Sequence, residues 1–138
     1  MWRDWHHTPL DGLLSKGGLI DNSPLLAYLQ EMLRPYDEFK KRVTIRAVDI
    51  NTGDSVKFDQ NNTGFHEMAK AAVASGSIAG VFAPFSWAGK GLFVDGHTAW
   101  NVDVEDAISQ CLDLVNDESQ ITLDILTCGH DHSFDLWT

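Results

Sequence analysis

The sequence predicts an α/β chain, built as three layers in which helices cover a mostly parallel sheet. Three observations predict it. A short apolar run, Gly91 to Asp95, is followed by a well-patterned helix at Val104 to Val115 and a further apolar run at Ile121 to Thr127. Strand, helix and strand in that order give a βαβ unit with a parallel pairing. A hairpin and two more helix patterns lie upstream, and the 43% apolar content is enough to bury a core.

In chain order, Met1 to Asp21 carries little periodicity, with Trp2, Trp5, His6 and His7 among turn residues. Adjacent histidines face different ways, so a surface or packing role is expected for that pair. Lys16-Gly17-Gly18 has no strand before it, and a double glycine alone is a weak phosphate or oxyanion signal. The first clear element opens at Asn22-Ser23-Pro24. Ser23 is the expected N-cap, and Pro24 suits the first helical position. Leu25, Leu29, Met32 and Leu33 then share one helix face, and Pro35 ends it.

Val43 to Ile50 and Ser55 to Phe58 read as strands joined by the turn Asn51-Thr52-Gly53-Asp54, hence a hairpin. Phe65 to Ala74 is a short helix whose Ala69, Ala72 and Val73 let it lie close on a sheet. The apolar, Pro-interrupted stretch Val81 to Trp87 has two readings: an acyl-chain groove or lipid-contact surface, and aromatics that cover the core. In the helix Val104 to Val115, residues Val104, Ala107, Ile108, Cys111, Leu112 and Val115 form an apolar stripe. Glu105 and Asp106 stand in its first turn, where the helix dipole favours them. Cys111 and Cys128 are expected as free thiols that pack like small hydrophobes.

Asp95 is the most informative carboxylate, because it stands where an apolar strand runs out into Gly96. One reading is that Asp-Gly simply starts a turn. The other is that the sheet fixes its backbone and leaves its side chain at the rim, where open α/β sheets handle ligands.

The surrounding residues resemble the second half of a patatin-like phospholipase. A helix ending in Ala74-Ser75, a turn through Ile78-Ala79-Gly80, the segment Phe82-Ala83-Pro84-Phe85, and Phe93-Val94-Asp95-Gly96 carry the resemblance. Asn101 and the helix opening at Val104 are similar to the family's Asn-Pro-hydrophobic segment, with Val102 in place of Pro. Gly18 to Leu25 and Arg42 to Asp49, with the following Gly53, extend the likeness, so it runs from about Gly18 to Thr127. The resemblance implies a patatin-like three-layer fold and hydrolysis of acyl esters in lipids by a Ser–Asp dyad. Asp95 would be the dyad acid and Gly96 its supporting turn residue. His97 stands where the family has Gly or Ala. Two places from Asp95 it shares a strand face with it, a poor geometry for proton relay, so it is expected to fill the turn.

Such chemistry also needs a serine on a sharp strand-to-helix turn, usually Gly-x-Ser-x-Gly. The sequence has none. Gly53-Asp54-Ser55 lies on a hairpin turn, and Gly76-Ser77 has its serine one place early after a helix. In the family the oxyanion loop and the serine elbow precede the region matched here. The expectation is therefore that residues 1–138 are a partial patatin-like domain, contributing the dyad Asp and inactive alone. Two rivals stand beside it: a catalytically dead patatin-like module that binds a lipid or a partner, and a metal-dependent hydrolase using Asp95, His97, Cys128, His130 and His132. The run Cys128-Gly-His130-Asp-His132 lacks the two separated ligand pairs of a strong zinc site, and no metal or other cofactor is expected.

A formal net charge of −10 argues against nucleic acid and against steady attachment to anionic lipid surfaces. A lipid or acyl-ester substrate met through transient membrane-surface contact is the partner expected, with self-association through an exposed sheet edge. No run reaches the roughly 18 apolar residues of a membrane span and no leader opens the chain. A cytoplasmic or membrane-peripheral protein is the expectation, with secretion left open; Asn61-Asn62-Thr63 is a glycosylation acceptor only in that case.

Overall fold

The computed structural model describes residues 17–96 and 103–126. In order these form β1 (Gly18–Ile20), α1 (Ser23–Leu33), β2 (Thr44–Asp49), β3 (Ser55–Asp59), a 3-10 turn (Phe65–Glu67) leading into α2 (Met68–Ser75), β4 (Gly80–Phe82), β5 (Phe85–Trp87), β6 (Gly91–Asp95), α3 (Val104–Leu112) and a 3-10 turn (Glu118–Gln120). Helices and strands alternate in places, and the strands fall into two sheets, so the α/β class holds.

The larger sheet has the order β3-β2-β6-β5 and is antiparallel throughout. Its β2–β3 hairpin is the expected one, turning through Asp49 to Asp54, with Gly53 at φ +79° accepting the left-handed conformation that the turn needs. Parallel pairing is confined, among the described residues, to β1 with β4. Here the double glycine finds its reason. A Cβ on Gly18 would lie 2.1 Å from the backbone nitrogen of Ala83, so only glycine lets the two strands approach.

Period-2 alternation gives the four-stranded sheet two different faces. Ala47, Phe58 and Phe93 point to one face, where α2 lays down Met68, Ala71 and Ala74. Trp87 closes this core. Its ring stacks on Phe58 at 5.1 Å between centroids, and Phe93 meets Phe58 edge-on at 5.4 Å. The Val81 to Trp87 stretch thus breaks at Pro84 into β4 and β5 and delivers its tryptophan to the core. Each such large side chain, fully buried, contributes about 1.5–3 kcal/mol. The other face carries Arg46, Val48, Ser55 and Lys57, and α3 is tied to it by ion pairs.

Several sequence expectations are corrected. The mostly parallel sheet is not what the described residues form, and residues 121–126 join no strand. Their apolar alternation suits a pleat, but a strand exists only when an edge pairs with it, and here Leu123, Ile125 and Leu126 are exposed. Among the described residues no βαβ unit closes around α3 and no strand covers its apolar stripe; no residue of the helix is buried, and Cys111 is an exposed thiol rather than a core residue. In α1, Met32 is 53% exposed. Ser23 is the first helical residue and not its cap; the Asp21 carboxylate accepts from the Ser23 amide (2.9 Å) and hydroxyl (2.7 Å). The Asp21 carboxylate thus takes an orphan amide of the helix start, and the Ser23 hydroxyl serves as a donor to it instead of as the cap.

Candidate active site

Asp95 ends β6, and three contacts fix its backbone. It pairs with Ala47 across the sheet, and its amide donates to the Ser77 carbonyl at 2.9 Å. The next residue, Gly96, is buried against β2, where a Cβ would sit 2.3 Å from the Arg46 carbonyl oxygen. Any other side chain there would push the two strands apart. Phe93 and Val94, 1% and 7% exposed, anchor the strand that leads to this point. Asp95 itself is half-buried, on the face of Ala47 and Phe93, at the edge of the core that α2 covers.

The rim it occupies differs from that of a parallel sheet. Because neighbours run antiparallel, the carboxyl ends of β6 and β3 lie beside the amino ends of β2 and β5. A second carboxylate stands at the same rim, which the sequence did not single out. Asp59 ends β3, is 6% exposed, and accepts from the amides of Asn61 (2.8 Å) and Asn62 (3.1 Å). Those bonds fix the turn that follows, so its role is structural.

Neither serine near a glycine forms a nucleophile elbow. Ser77 follows α2, is 1% exposed, and its hydroxyl is engaged twice: it donates to the Val73 carbonyl (2.7 Å) and accepts from Asn22 Nδ2 (2.9 Å). Ser55 starts β3, and its hydroxyl accepts from Arg46 Nη1 at 3.3 Å. Alternation puts Ser55 on the face opposite Asp95. The hydroxyls of Ser55 and Ser77 are thus engaged with partners other than Asp95.

The opposite face of the sheet carries a charged cluster that sequence reasoning saw only in part. The Arg46 guanidinium meets the carboxylates of Asp103 and Asp106, and Lys57 Nζ lies 3.5 Å from Asp106. Asp103 is the N-cap of α3, accepting from the Asp106 amide at 3.2 Å. Burial works to lower the Arg46 pKa, but the hydrogen bonds and charges of Asp103 and Asp106 outweigh it and raise it. Burial likewise works to raise Asp106, yet hydrogen bonding to Asp103 and Arg46, with the positive charges of Arg46 and Lys57, holds it below the usual carboxylate range. The signal available was an aspartate just before a helix with another three places on. Its partner, 57 to 60 residues away, was not legible.

Beside this cluster a cleft of about 500 Å³ opens between α3 and the start of β2, walled by Val43, Thr44, Ala107, Cys111 and Leu114. Asp95 is not among its lining residues.

His97, Asn101, Val102, Cys128, His130 and His132 lie outside the described residues. Among the described residues no group of three or more His, Cys, Asp or Glu could hold a metal ion, and no helix is long and apolar enough to cross a membrane. A family model described as Patatin-like phospholipase matches residues 2–108, well over half of the chain. No curated protein and no solved structure matches it.

Proposed function

The chain belongs to the patatin-like phospholipase family, a family of lipid acyl hydrolases, and from that membership we propose that Asp95 is the acid of a Ser–Asp dyad. The observation that supports this most is the coincidence of the family match with a carboxylate at a strand end, followed by a glycine that its neighbour strand requires. In the reaction the serine hydroxyl attacks the acyl carbonyl as the carboxylate accepts its proton; the ester C–O bond then breaks, and the alcohol leaves with that proton, giving the acyl-enzyme. Water attacks the acyl-enzyme, giving its proton to the carboxylate, and the acid departs as that proton returns to the serine oxygen. Backbone amides aimed at the developing oxyanion contribute about 3–4 kcal/mol each to such a step.

The dyad serine, in this reading, comes from a Gly-x-Ser-x-Gly segment that the sequence does not contain. Residues 1–138 are then part of a patatin-like catalytic domain. Gly96, with His97 after it in sequence, supports Asp95 in this reading, and the substrate is a lipid acyl ester met at a membrane surface. The rival reading, a catalytically dead binding module, draws on the double engagement of the Ser77 hydroxyl and the absence of an elbow.

The test is a chromogenic acyl-ester assay on the chain alone and on the chain joined to a Gly-x-Ser-x-Gly segment of its own coding frame. The dyad reading expects no turnover from the first and Asp95-dependent turnover from the second. No Gly-x-Ser-x-Gly segment in that frame, or turnover indifferent to Asp95→Asn, supports the binding module instead.

A further inference from the structure

The cleft between α3 and β2 has one cation that meets no carboxylate or aromatic face among the described residues. Its polar wall groups are otherwise paired: Arg42 donates to the Gln110 carbonyl (2.9 Å) and to Asp113 (2.7 Å), and Gln110 Nε2 donates to Thr44 Oγ1 (2.9 Å). Asp103 is held by Arg46. Lys41, an exposed side chain, also lines the cleft and among the described residues makes no ion pair or cation–π contact. Every other described Lys or Arg meets a carboxylate or an aromatic face. An apolar cleft of about 500 Å³ is within the size range of small-ligand sites. With Lys41 among its lining residues and no described carboxylate paired with it, the cleft suits a molecule with one apolar chain and one anionic head.

The position of the cleft says where such a molecule comes from. Asp95 pairs with Ala47, and Thr44 lies three residues further toward the same rim, roughly 10 Å along β2. The Thr44 side chain takes the face opposite that of Asp95. The cleft is thus a second site, around the rim from the candidate carboxylate. We propose that it holds a free single-chain carboxylate, the fatty acid released by acyl hydrolysis, with the chain against Val43, Ala107 and Leu114 and the carboxylate at Lys41. The source of the ligand rests on the proposed hydrolysis; the binding itself does not.

The exposed thiol of Cys111 reports occupancy directly. The experiment follows maleimide modification of Cys111, located by peptide mass, in the full chain with dodecanoate below its micelle-forming concentration. Dodecanoate is expected to slow modification saturably. Decanoate, two methylenes shorter, is expected to bind roughly 10–20-fold more weakly. Dodecyltrimethylammonium is expected to give no protection, and Lys41→Glu to weaken dodecanoate by about tenfold. Ala107→Trp, with its fold checked by circular dichroism, fills the cleft and is expected to abolish protection. The proposal is overturned by absence of protection, by equal protection from the cationic or a zwitterionic lysolipid chain, or by protection unchanged in Lys41→Glu. Asp95→Asn separates the two readings, since it is expected to leave dodecanoate binding intact. Hydrolysis unchanged in Asp95→Asn, with protection retained, sinks only the dyad, and Asp95-dependent hydrolysis without protection sinks only this site.

Discussion

Ser77→Ala is the perturbation that most sharply separates a structural serine from a nucleophile. At the end of α2 the Ser77 amide turns to the Ala74 carbonyl (3.3 Å), so the Val73 carbonyl takes the Ser77 hydroxyl in place of a backbone amide. The same oxygen accepts from Asn22, which joins α1 to α2. Alanine removes both bonds at a site only 1% exposed, and leaves Asn22 Nδ2 with a long 3.4 Å contact to the Ala83 carbonyl. Two net bonds of about 1 kcal/mol each, with part of a desolvation penalty for the abandoned groups, give a loss of about 2–3 kcal/mol. At about 3–5 °C per kcal/mol for a chain of this length, Tm should fall by roughly 6–15 °C. The assay is urea and thermal unfolding of the wild type, Ser77→Ala, Asn22→Ala and the double variant, run beside an acyl-ester assay. The cycle should show a coupling of about 0.5 kcal/mol or more. An unchanged Tm together with turnover lost in Ser77→Ala would refute the reasoning, because it would make this hydroxyl the nucleophile.

Three further outcomes are expected. Gly96→Ala should destabilise the fold by about 1–3 kcal/mol, read by urea midpoint, since its Cβ would press on backbone oxygen that cannot move aside. The depressed Asp106 pKa makes the unfolded state bind more protons in acid, so its contribution is present above about pH 4 and is lost as pH falls through the lower folded value. Unfolding measured from pH 6 to pH 2 should show that slope, and Asp106→Asn should flatten it while costing about 1–2 kcal/mol at pH 6. The unpaired residues 121–126, with Leu126 90% exposed, and the outer edges of β3 and β5 should give concentration-dependent self-association by light scattering, which a monodisperse monomer across concentrations would contradict.

What was legible in the sequence was local. The hairpin followed from alternation on either side of Asn51-Thr52-Gly53-Asp54, and α1 from Pro24, its leucine spacing and Pro35. The small residues of α2 announced a helix that lies close on a sheet, and Ala69, Ala71, Val73 and Ala74 are buried there. What failed was pairing. Ile121 to Leu126 has the residues of a strand, but alternation says nothing about which edge is available. The parallel β1–β4 pair rests on two three-residue strands with no pattern to read. Cys111 falls on a sound apolar stripe, yet α3 is tethered through Arg46 to Asp103 and Asp106, and the thiol is exposed. At the site, Asp95 and Gly96 could be found because a strand-end carboxylate before glycine is a local signal. The Ser77 carbonyl that receives the Asp95 amide is 18 residues away and gives no sign of itself.

The central claim is that Asp95 takes the proton of a serine hydroxyl. Its most direct measurement is kcat for a phospholipid or chromogenic acyl ester by the protein carrying the Gly-x-Ser-x-Gly segment, wild type against Asp95→Asn, with fold checked by unfolding. Loss of the acceptor should lower kcat by about 10³–10⁴ while Tm changes little. Turnover within tenfold of wild type in a folded Asp95→Asn protein would contradict the account.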